Sequence, residues 1–304
     1  MKGEPAMRFF RFFLTIPALA ALFLTGCGKD KTAENKLLTV TSGIPPVAYL
    51  VSAVGGDRVD SKSVLPEGRS PHDYSPGPGE IKGVMSSKLF FTTGLNFEKN
   101  VSRTLDPKQT RIVDVTAGIK RIPFDDDCRD DDEPQGALDP HVWLSANNAA
   151  VIAENIAKAL TEADPKGAAV YTANLAALKK KLASALAYAK KELKPYAGRE
   201  FFVYHPAFGY FAKSVGLKQV AIELGGREAT AKQLAAVIER ARKDKVKVVF
   251  VQPQFNPTSA RALGKAIGGK VAGLDPLAAD IPANIRAMAG ALKEGFTGGS
   301  ADGK

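Results

Sequence analysis

The sequence is poor in the residues that build disulfide scaffolds and histidine-rich metal sites. Its 304 residues include only two cysteines, three histidines and one tryptophan. Two cysteines form at most one disulfide, so the stability of a chain of this length must come mainly from a hydrophobic core. Three imidazoles make most of one zinc shell, so a histidine-based metal site here would need every histidine of the chain.

The first 26 residues read as a targeting segment rather than as part of the fold. Arg8 and Arg11 precede an apolar run, residues 12–24, that is too short for a comfortable membrane span and suits a signal peptide. The run leads into Leu24-Thr25-Gly26-Cys27, which resembles a bacterial lipobox. That resemblance implies cleavage before Cys27 and lipidation of this cysteine. An ordinary signal peptide and an uncleaved anchor are the alternatives.

The expected location outside the cytoplasm limits the binding partners that the net positive charge can indicate. Lysine and arginine number 42 against 32 acidic residues, a net charge of +10. An exported protein rarely meets nucleic acid, so attraction to anionic lipid head groups, or simply a solvated surface, explains the charge better. With Cys27 used for the lipid, Cys128 is left without a disulfide partner. We therefore expect a membrane-tethered protein outside the cytoplasm, in the periplasm or at the cell surface.

Apolar, β-branched runs alternate with helical stretches, the pattern of parallel α/β sheets. We predict two lobes, each with a roughly four-stranded parallel sheet flanked by helices. The predicted strands are residues 37–41, 59–65, 88–93 and 111–115 in the first half, and 201–204, 219–222, 246–251 and 270–274 in the second. The predicted helices beside them are residues 46–54, 78–86, 208–215, 231–244, 259–267 and 281–294.

A long helical region separates the two halves. It contains helices predicted at residues 147–163 and 166–194, and the second of these would span about 43 Å. Such a helix could brace both lobes, whereas a coiled-coil dimerisation helix is the alternative, which the short, alanine-rich apolar stripe disfavours. The predicted organisation is a signal peptide at 1–26, a tether at 27–36, a lobe at 37–144, the helical region at 145–197, a lobe at 198–297 and a disordered tail at 298–304.

All three histidines and one aspartate follow predicted strands. His72 and His141 come after strands of the first half, while His205 and Asp275 directly follow strands of the second. Ligands of open α/β sheets bind beyond the carboxyl ends of the strands. A cleft between the lobes would therefore bring these four side chains together as potential metal ligands.

The same segments carry a family resemblance. They are Pro71-His72-Asp73-Tyr74-Ser75-Pro76, Asp139-Pro140-His141-Val142-Trp143, Tyr204-His205-Pro206-Ala207-Phe208-Gly209-Tyr210-Phe211, Gln252-Pro253-Gln254-Phe255 and Leu274-Asp275-Pro276-Leu277. In this order, and over about the whole mature chain, the sequence resembles the ZnuA/TroA-like (cluster A-I) solute-binding proteins of zinc/manganese ABC transporters. It is most similar to the zinc-binding members.

The resemblance implies two α/β lobes joined by one long rigid helix, with a metal ion held between them. It implies His72, His141, His205 and Asp275 as ligands, and delivery of the ion to a membrane permease powered by an ATPase. Three imidazoles and one carboxylate suit tetrahedral Zn²⁺, whereas oxygen-rich shells favour Mn²⁺. We therefore expect Zn²⁺ as the transported ligand of a monomeric protein, with Mn²⁺ or Fe²⁺ as the alternative.

Second-sphere partners and walls of the site are harder to assign from sequence. Asp73 or Glu80 could orient a histidine through its other ring nitrogen. We expect Trp143 and Tyr74 to wall the cleft rather than to touch the ion.

An acidic tract, Asp125 to Glu133, stands where zinc-uptake members of the family often carry a histidine-rich loop. It lacks the glycine and the alternation of an EF-hand loop, so a specific calcium site is not expected. Most such runs are solvated, disordered loops. A weak collector of cations beside His141 is the functional alternative.

Two functions from other classes remain open at this point. A zinc hydrolase also uses three-histidine sites, but the sequence has no His-Glu-x-x-His helix and no Gly-x-Ser-x-Gly elbow. A protein-filled fourth position would in addition exclude the reactive water. We therefore expect no enzyme. A surface adhesin, with a role in cell adhesion, is the third interpretation.

Overall fold

The computed structural model describes residues 37–124, 138–222, 231–255 and 258–298. In this part of the chain the strands form two parallel sheets of four. The first sheet has the order β2-β1-β3-β4 and the second the order β6-β5-β7-β8. The strands are β1 Leu38–Ser42, β2 Val59–Ser63, β3 Leu89–Thr92, β4 Arg111–Asp114, β5 Glu200–Val203, β6 Lys218–Ala221, β7 Val248–Val251 and β8 Lys270–Gly273. All eight were expected from the sequence.

The central strand β3 of the first sheet is apolar in three of its four residues. Every residue of β3, with the sequence Leu-Phe-Phe-Thr, is buried. A parallel sheet covered on both sides reads as a continuous hydrophobic run rather than as an alternating one. The edge strand β4 is mostly exposed, which places it at the border of its sheet.

The helices lie mainly where the sequence predicts them. They are α1 Pro45–Gly55, α2 Pro78–Met85, α3 Asn96–Ser102, α4 Ala146–Ala163, α5 Ala168–Leu193, α6 Gly209–Val215, α7 Ala231–Lys243, α8 Thr258–Ala266 and α9 Ile281–Thr297. Among them, α3 was not predicted. It has seven residues and only two apolar positions, Phe97 and Val101, which are too few to show a helical period. Its start is fixed by Glu98, whose carboxylate accepts the backbone N–H groups of Thr93, Gly94 and Leu95.

The long helix α5 runs between the two halves of the fold. It packs against α1 and α4 from the first half and against α6 and α9 from the second. Its 26 residues span about 39 Å. It is shorter than predicted because the residues at either end, Pro165–Gly167 and Lys194–Tyr196, form 3-10 turns. The expected bracing helix is therefore confirmed.

The two sheets share their largest hydrophobic cluster, beside which the second sheet has two smaller ones. A single cluster of buried side chains includes Phe90 and Phe91 from β3, Leu178 and Leu182 from α5, and Phe250 from β7. From Lys36 onward the chain accordingly forms one compact unit. The predicted lobe boundaries, after residues 144 and 197, stay predictions.

Several predictions from the sequence fall outside the described residues. These are the signal peptide, the lipobox with Cys27, the tether, the acidic tract with Cys128, and the tail beyond Gly298. In the part of the chain that is described, no helix combines the length and the apolar character needed to cross a bilayer.

Candidate metal centre

The three histidines are carried by loops at the carboxyl edges of the two sheets. His72 lies in the loop between β2 and α2, and His141 directly precedes the 3-10 turn Val142–Leu144. His205 follows β5 by two residues. Parallel strands all end at the same edge of their sheet, so each half delivers its loops to one side. The structure thus brings together histidines that are far apart in sequence.

The imidazoles converge through their Nε2 atoms. His205 Nε2 is 3.1 Å from His72 Nε2 and 3.4 Å from His141 Nε2. Among the described residues, these three side chains are the group of potential ligands whose donor atoms all lie within 4.8 Å of one another. Nitrogens bound to one tetrahedral zinc ion at 2.0–2.1 Å would stand roughly 3.3 Å apart. The observed spacing is therefore close to what a single ion would require.

Asp139 orients the ring of His141. Its Oδ1 lies 2.8 Å from His141 Nδ1 and accepts the backbone N–H of the same residue, also at 2.8 Å. Both side chains are buried. A carboxylate only accepts hydrogen bonds, so Nδ1 carries the proton and the lone pair of the neutral ring lies on Nε2. Asp139 thus fixes the tautomer that can bind a metal ion.

Gln252 clamps the backbone of His205. Its amide oxygen accepts the N–H of His205 at 3.1 Å, and its amide nitrogen donates to the carbonyl of His205 at 3.0 Å. The side chain of Gln252 is completely buried. Phe255 stacks on the imidazole of His205 with 5.1 Å between ring centroids. His205 therefore has little freedom to move away from the site.

His72 is held more loosely. Its backbone N–H donates to Ser70 Oγ at 3.3 Å, and the residue is exposed. Its ring nevertheless meets the other two imidazoles. Desolvation of the ring, followed by repulsion from His205 and His141, lowers the pKa of His72, which keeps this imidazole neutral and its nitrogen available as a donor.

The space between the rings is small and its walls are mostly apolar. It measures about 10 Å³ and is closed by Pro71, Trp143, Phe255 and Leu277, among others. That volume is close to the minimum for one water molecule. The site therefore has room for a single ion and not for an organic substrate.

Trp143 walls the site, as expected, and also joins the two halves. Its indole N–H donates to the carbonyl of Pro276 at 2.7 Å, and its ring stands edge-on to His141 with 5.4 Å between centroids. Tyr74, the second expected wall, does not line this space. Its hydroxyl instead donates to the carbonyl of Val64.

Asp275 lies beside the site but outside the group of converging donor atoms. Its Oδ1 accepts the amide N–H of Gln254 at 2.7 Å and the backbone N–H of Leu277 at 2.9 Å. Gln254 and Leu277 both line the space between the imidazoles. The role of Asp275 as fourth ligand therefore stays a prediction.

Two supporting residues were missed from the sequence. Asp139 holds a histidine in the way that was suggested for Asp73 or Glu80. Its signal was the spacing Asp-x-His, which lets one carboxylate bond both the backbone and the ring two residues later. Gln252 belongs to one of the segments that carry the family resemblance, but its role could not be predicted, because it depends on the neighbouring strand β5 rather than on nearby sequence.

The fold and the site together define a class: α/β proteins with two sheets, a bracing helix and a candidate site for one metal ion between the halves. Residues 40–295 match the model of a family described as "Zinc-uptake complex component A periplasmic", ZnuA. The chain belongs to this family, whose members are solute-binding proteins and not enzymes.

Two curated relatives differ in the metal that their names give. The zinc-binding lipoprotein AdcA of Streptococcus pneumoniae is 31% identical over 282 residues, which cover 87% of this chain and 54% of the relative. The chain thus spans about half the length of AdcA. The manganese ABC transporter substrate-binding lipoprotein PsaA of the same species is 28% identical over 253 residues, 79% of this chain and 80% of PsaA.

Solved structures agree with the fold. A crystal structure of ZnuA superposes with a TM-score of 0.79 at 32% identity, covering 85% of this chain and 99% of that one. The laminin-binding protein Lmb of Streptococcus agalactiae, described as an adhesin with metal-transporting activity, gives a TM-score of 0.76 at 27% identity over 86% of this chain and 100% of Lmb.

Proposed function

We propose that this protein is the extracytoplasmic solute-binding component of an ABC transporter and that it captures one divalent transition-metal ion, Zn²⁺, between its halves. The observation that carries the proposal is the convergence of three Nε2 atoms at 3.1 and 3.4 Å from both halves of the fold. The captured ion passes to a membrane permease coupled to an ATPase. These partners are inferred from the family.

The donor set supports zinc over manganese. Imidazole suits Zn²⁺, whereas carboxylate and water suit Mn²⁺. His141 and His205 are buried, so replacing their nitrogens by water would need extra space, and the site offers only about 10 Å³. Mn²⁺, with Fe²⁺, is the alternative, because the chain is similar both to the zinc-binding AdcA and to the manganese relative PsaA.

Asp275 is proposed as the fourth ligand. Its Oδ1 already accepts two hydrogen bonds, from Gln254 and from the backbone of Leu277. A ligating carboxylate needs such partners to orient it. The backbone of Asp275 is also held, because Asn284 donates its amide N–H to the carbonyl at 2.7 Å. Asp275 is therefore held in place next to Gln254 and Leu277, which line the space between the imidazoles.

The residues of the site have different roles in the capture of an ion. Asp139 keeps the lone pair of His141 on Nε2, Gln252 fixes the position of His205, and His72 approaches from an exposed loop. An incoming ion can thus meet two fixed nitrogens first and recruit the third. Trp143, which contacts both His141 and Pro276, links the loops of the two halves around the ion.

The lipid anchor is part of the proposal. The lipobox-like segment before Cys27 supports cleavage and acylation, and the relatives AdcA and PsaA are named lipoproteins. The anchor would keep the protein, as a monomer, at the outer face of a membrane beside its permease. Mass spectrometry of the mature protein should find acyl chains on Cys27, whereas an unmodified cysteine would contradict this part.

Competitive metal titration tests the function. Protein stripped of metal should bind one Zn²⁺ per chain and prefer it to Mn²⁺ at a fixed pH. His205→Glu should narrow that preference, because it replaces a nitrogen by a harder carboxylate, while His205→Ala should weaken both metals. An unchanged zinc-to-manganese ratio in His205→Glu would exclude His205 from the shell. Incubation of the zinc-loaded protein with ester and peptide substrates should show no turnover, which separates capture from hydrolysis.

A further inference from the structure

The amino-terminal edge of the second sheet carries a row of four basic residues, one at or directly before the start of each strand. Lys218 and Lys270 are the first residues of β6 and β8, while Arg199 and Lys247 directly precede β5 and β7. In the order of the sheet, β6-β5-β7-β8, the row runs Lys218, Arg199, Lys247, Lys270. All four residues are exposed. With strands about 4.8 Å apart, the row spans roughly 14 Å.

The corresponding edge of the first sheet is different. Arg58 precedes β2 and forms a two-pronged ion pair with Asp164, at 2.8 and 2.9 Å. Arg111 begins β4 and pairs with Glu162 at 2.6 Å. Only Lys88, before β3, is unpaired there within the described part of the chain. In the second sheet, none of the four residues of the basic row forms an ion pair with another described residue. Glu200 lies opposite Lys218 in the register of the sheet and attracts it, but among the described residues no direct ion pair holds any residue of the row.

A cavity opens along the same edge. It has a volume of about 390 Å³ and is lined by Arg199, Lys245 and Lys247 above apolar side chains that include Phe296. The guanidinium of Arg199 lies over the ring of Phe296, 4.5 Å from its centroid, so its position is partly fixed.

Two carboxylates also line the cavity. Glu200 is paired with Arg240 through two hydrogen bonds, at 2.8 and 3.0 Å, and its charge is thereby compensated. Asp244 is the other. Against it stand Arg199, Lys245 and Lys247, so the cavity keeps an excess of positive charge.

We propose that this basic edge binds the anionic phosphate head groups of a phospholipid membrane. A row of cations several ångströms apart matches a surface that presents many phosphates side by side, and basic clusters next to a membrane are attracted to anionic lipids. The apolar floor of the cavity accommodates the less polar part of a head group. The edge lies opposite the carboxyl ends of the strands, so a protein bound by this edge has its candidate metal centre open for capture, and delivery to the permease requires its release from the lipid surface. The inference does not depend on which metal is bound.

Vesicle sedimentation tests the proposal. Because the unit that begins at Lys36 contains both sheets and their shared core, residues 36–304 can be used without the apolar leader. This protein should sediment with vesicles of phosphatidylglycerol and phosphatidylcholine, and not with vesicles of phosphatidylcholine alone. Added salt should weaken the binding, because the attraction falls off within a Debye length of about 8 Å at physiological ionic strength.

Charge-matched variants locate the surface. Lys247→Glu with Lys270→Glu should reduce the binding to anionic vesicles at least tenfold. Lys180→Glu with Lys181→Glu, on the exposed side of α5, makes the same change in net charge and should reduce binding less than twofold. Equal losses in both pairs would show that only net charge matters, and no binding by the wild-type protein would also overturn the proposal.

Two further arms complete the test. The milder pair Lys247→Gln with Lys270→Gln should also lose binding, and an unchanged thermal midpoint would show that it is folded. Inorganic phosphate should displace the protein from vesicles no better than chloride at equal ionic strength. Specific displacement by phosphate would show that the basic edge binds a soluble anion, and it would contradict the proposal that the edge binds lipid head groups. Zinc titration of each variant, expected to be unchanged, keeps this result separate from the proposed function.

Discussion

The two halves share one strand order but hold their histidines in different ways. In the second half, His205 is buried beside its strand, with its backbone clamped by Gln252 and its ring stacked on Phe255. In the first half, His72 lies on an exposed loop and is fixed by one long backbone hydrogen bond. Two sheets with the same strand order can therefore carry loops of different rigidity. The first half itself combines the exposed loop of His72, which can adjust to the ion, with the buried His141, which Asp139 holds in place.

Replacing the buried His205 should cause the largest loss of zinc affinity. His205→Ala should weaken zinc binding by more than the roughly 100-fold that loss of a second-sphere partner costs, because it removes a preset nitrogen at the centre of the three. His72→Ala should cost less, since an exposed loop leaves room for water to replace the lost imidazole. Isothermal titration of both variants checks the order. A larger loss in His72→Ala would mean that the loop, and not the buried half, sets the site.

Replacing the Asp139 carboxylate should cause the next largest loss of zinc affinity. Asp139→Asn should lower zinc affinity by about 10- to 100-fold, because an amide does not hold the Nδ1–H tautomer of His141 as strongly as a charged acceptor. Asp73→Asn is a matched control on the loop of His72 and should leave affinity unchanged. Equal affinities of the wild-type protein and Asp139→Asn would show that packing alone orients His141.

A steric test addresses the packing of the first half. A Cβ added at Gly43, directly after β1, would clash with the carboxylate of Glu98. Gly43→Ala must therefore displace a buried carboxylate, and we expect a loss of about 1–3 kcal/mol in the free energy of unfolding. Gly83→Ala, inside α2 with open space around the new Cβ, should instead stabilise the protein by roughly 0.5–1 kcal/mol. Urea titration measures both changes.

A further prediction is a pH dependence that Glu98 confers on the stability of the first half. Burial raises the pKa of Glu98 from 4.5 to about 7, against the lowering effect of the backbone N–H groups that it accepts. A raised pKa in the folded state means that the contribution of Glu98 to stability is fully present below pH 4.5 and is lost as the pH rises towards 7.

Glu98→Gln removes this titration and keeps an acceptor oxygen. The stability of the wild-type protein relative to the variant should therefore fall between pH 4.5 and 7, and stay level above that range. A difference that grows with pH would mean that Glu98 is a stabilised carboxylate, held by the N–H groups of the α3 turn.

The sequence was sufficient for the architecture because the architecture follows from apolar runs. All eight strands were predicted from apolar and β-branched runs that alternate with helical stretches, and α5 was predicted from a helical period that ends at Pro195. Helix α3 was not, because its start depends on the side chain of Glu98 reaching back to three N–H groups rather than on any period.

The sequence predicted the histidines of the candidate site but not the residues that hold them in place. The convergence of His72, His141 and His205 followed from the rule that parallel strands end at one edge. The clamp from Gln252 could not be predicted, because it joins neighbouring strands whose register is set only in the folded protein. The position of Asp275 depends on the Gln254 amide in the same way, and its role as ligand remains a prediction.

The central claim is that one ion is bound by nitrogens from both halves, and anomalous diffraction at the zinc absorption edge tests it most directly. Crystals of the zinc-loaded protein should give one strong anomalous peak per chain, about 2.0–2.1 Å from the Nε2 atoms of His72, His141 and His205. A peak elsewhere, or one bound by histidines of only one half, would contradict the account.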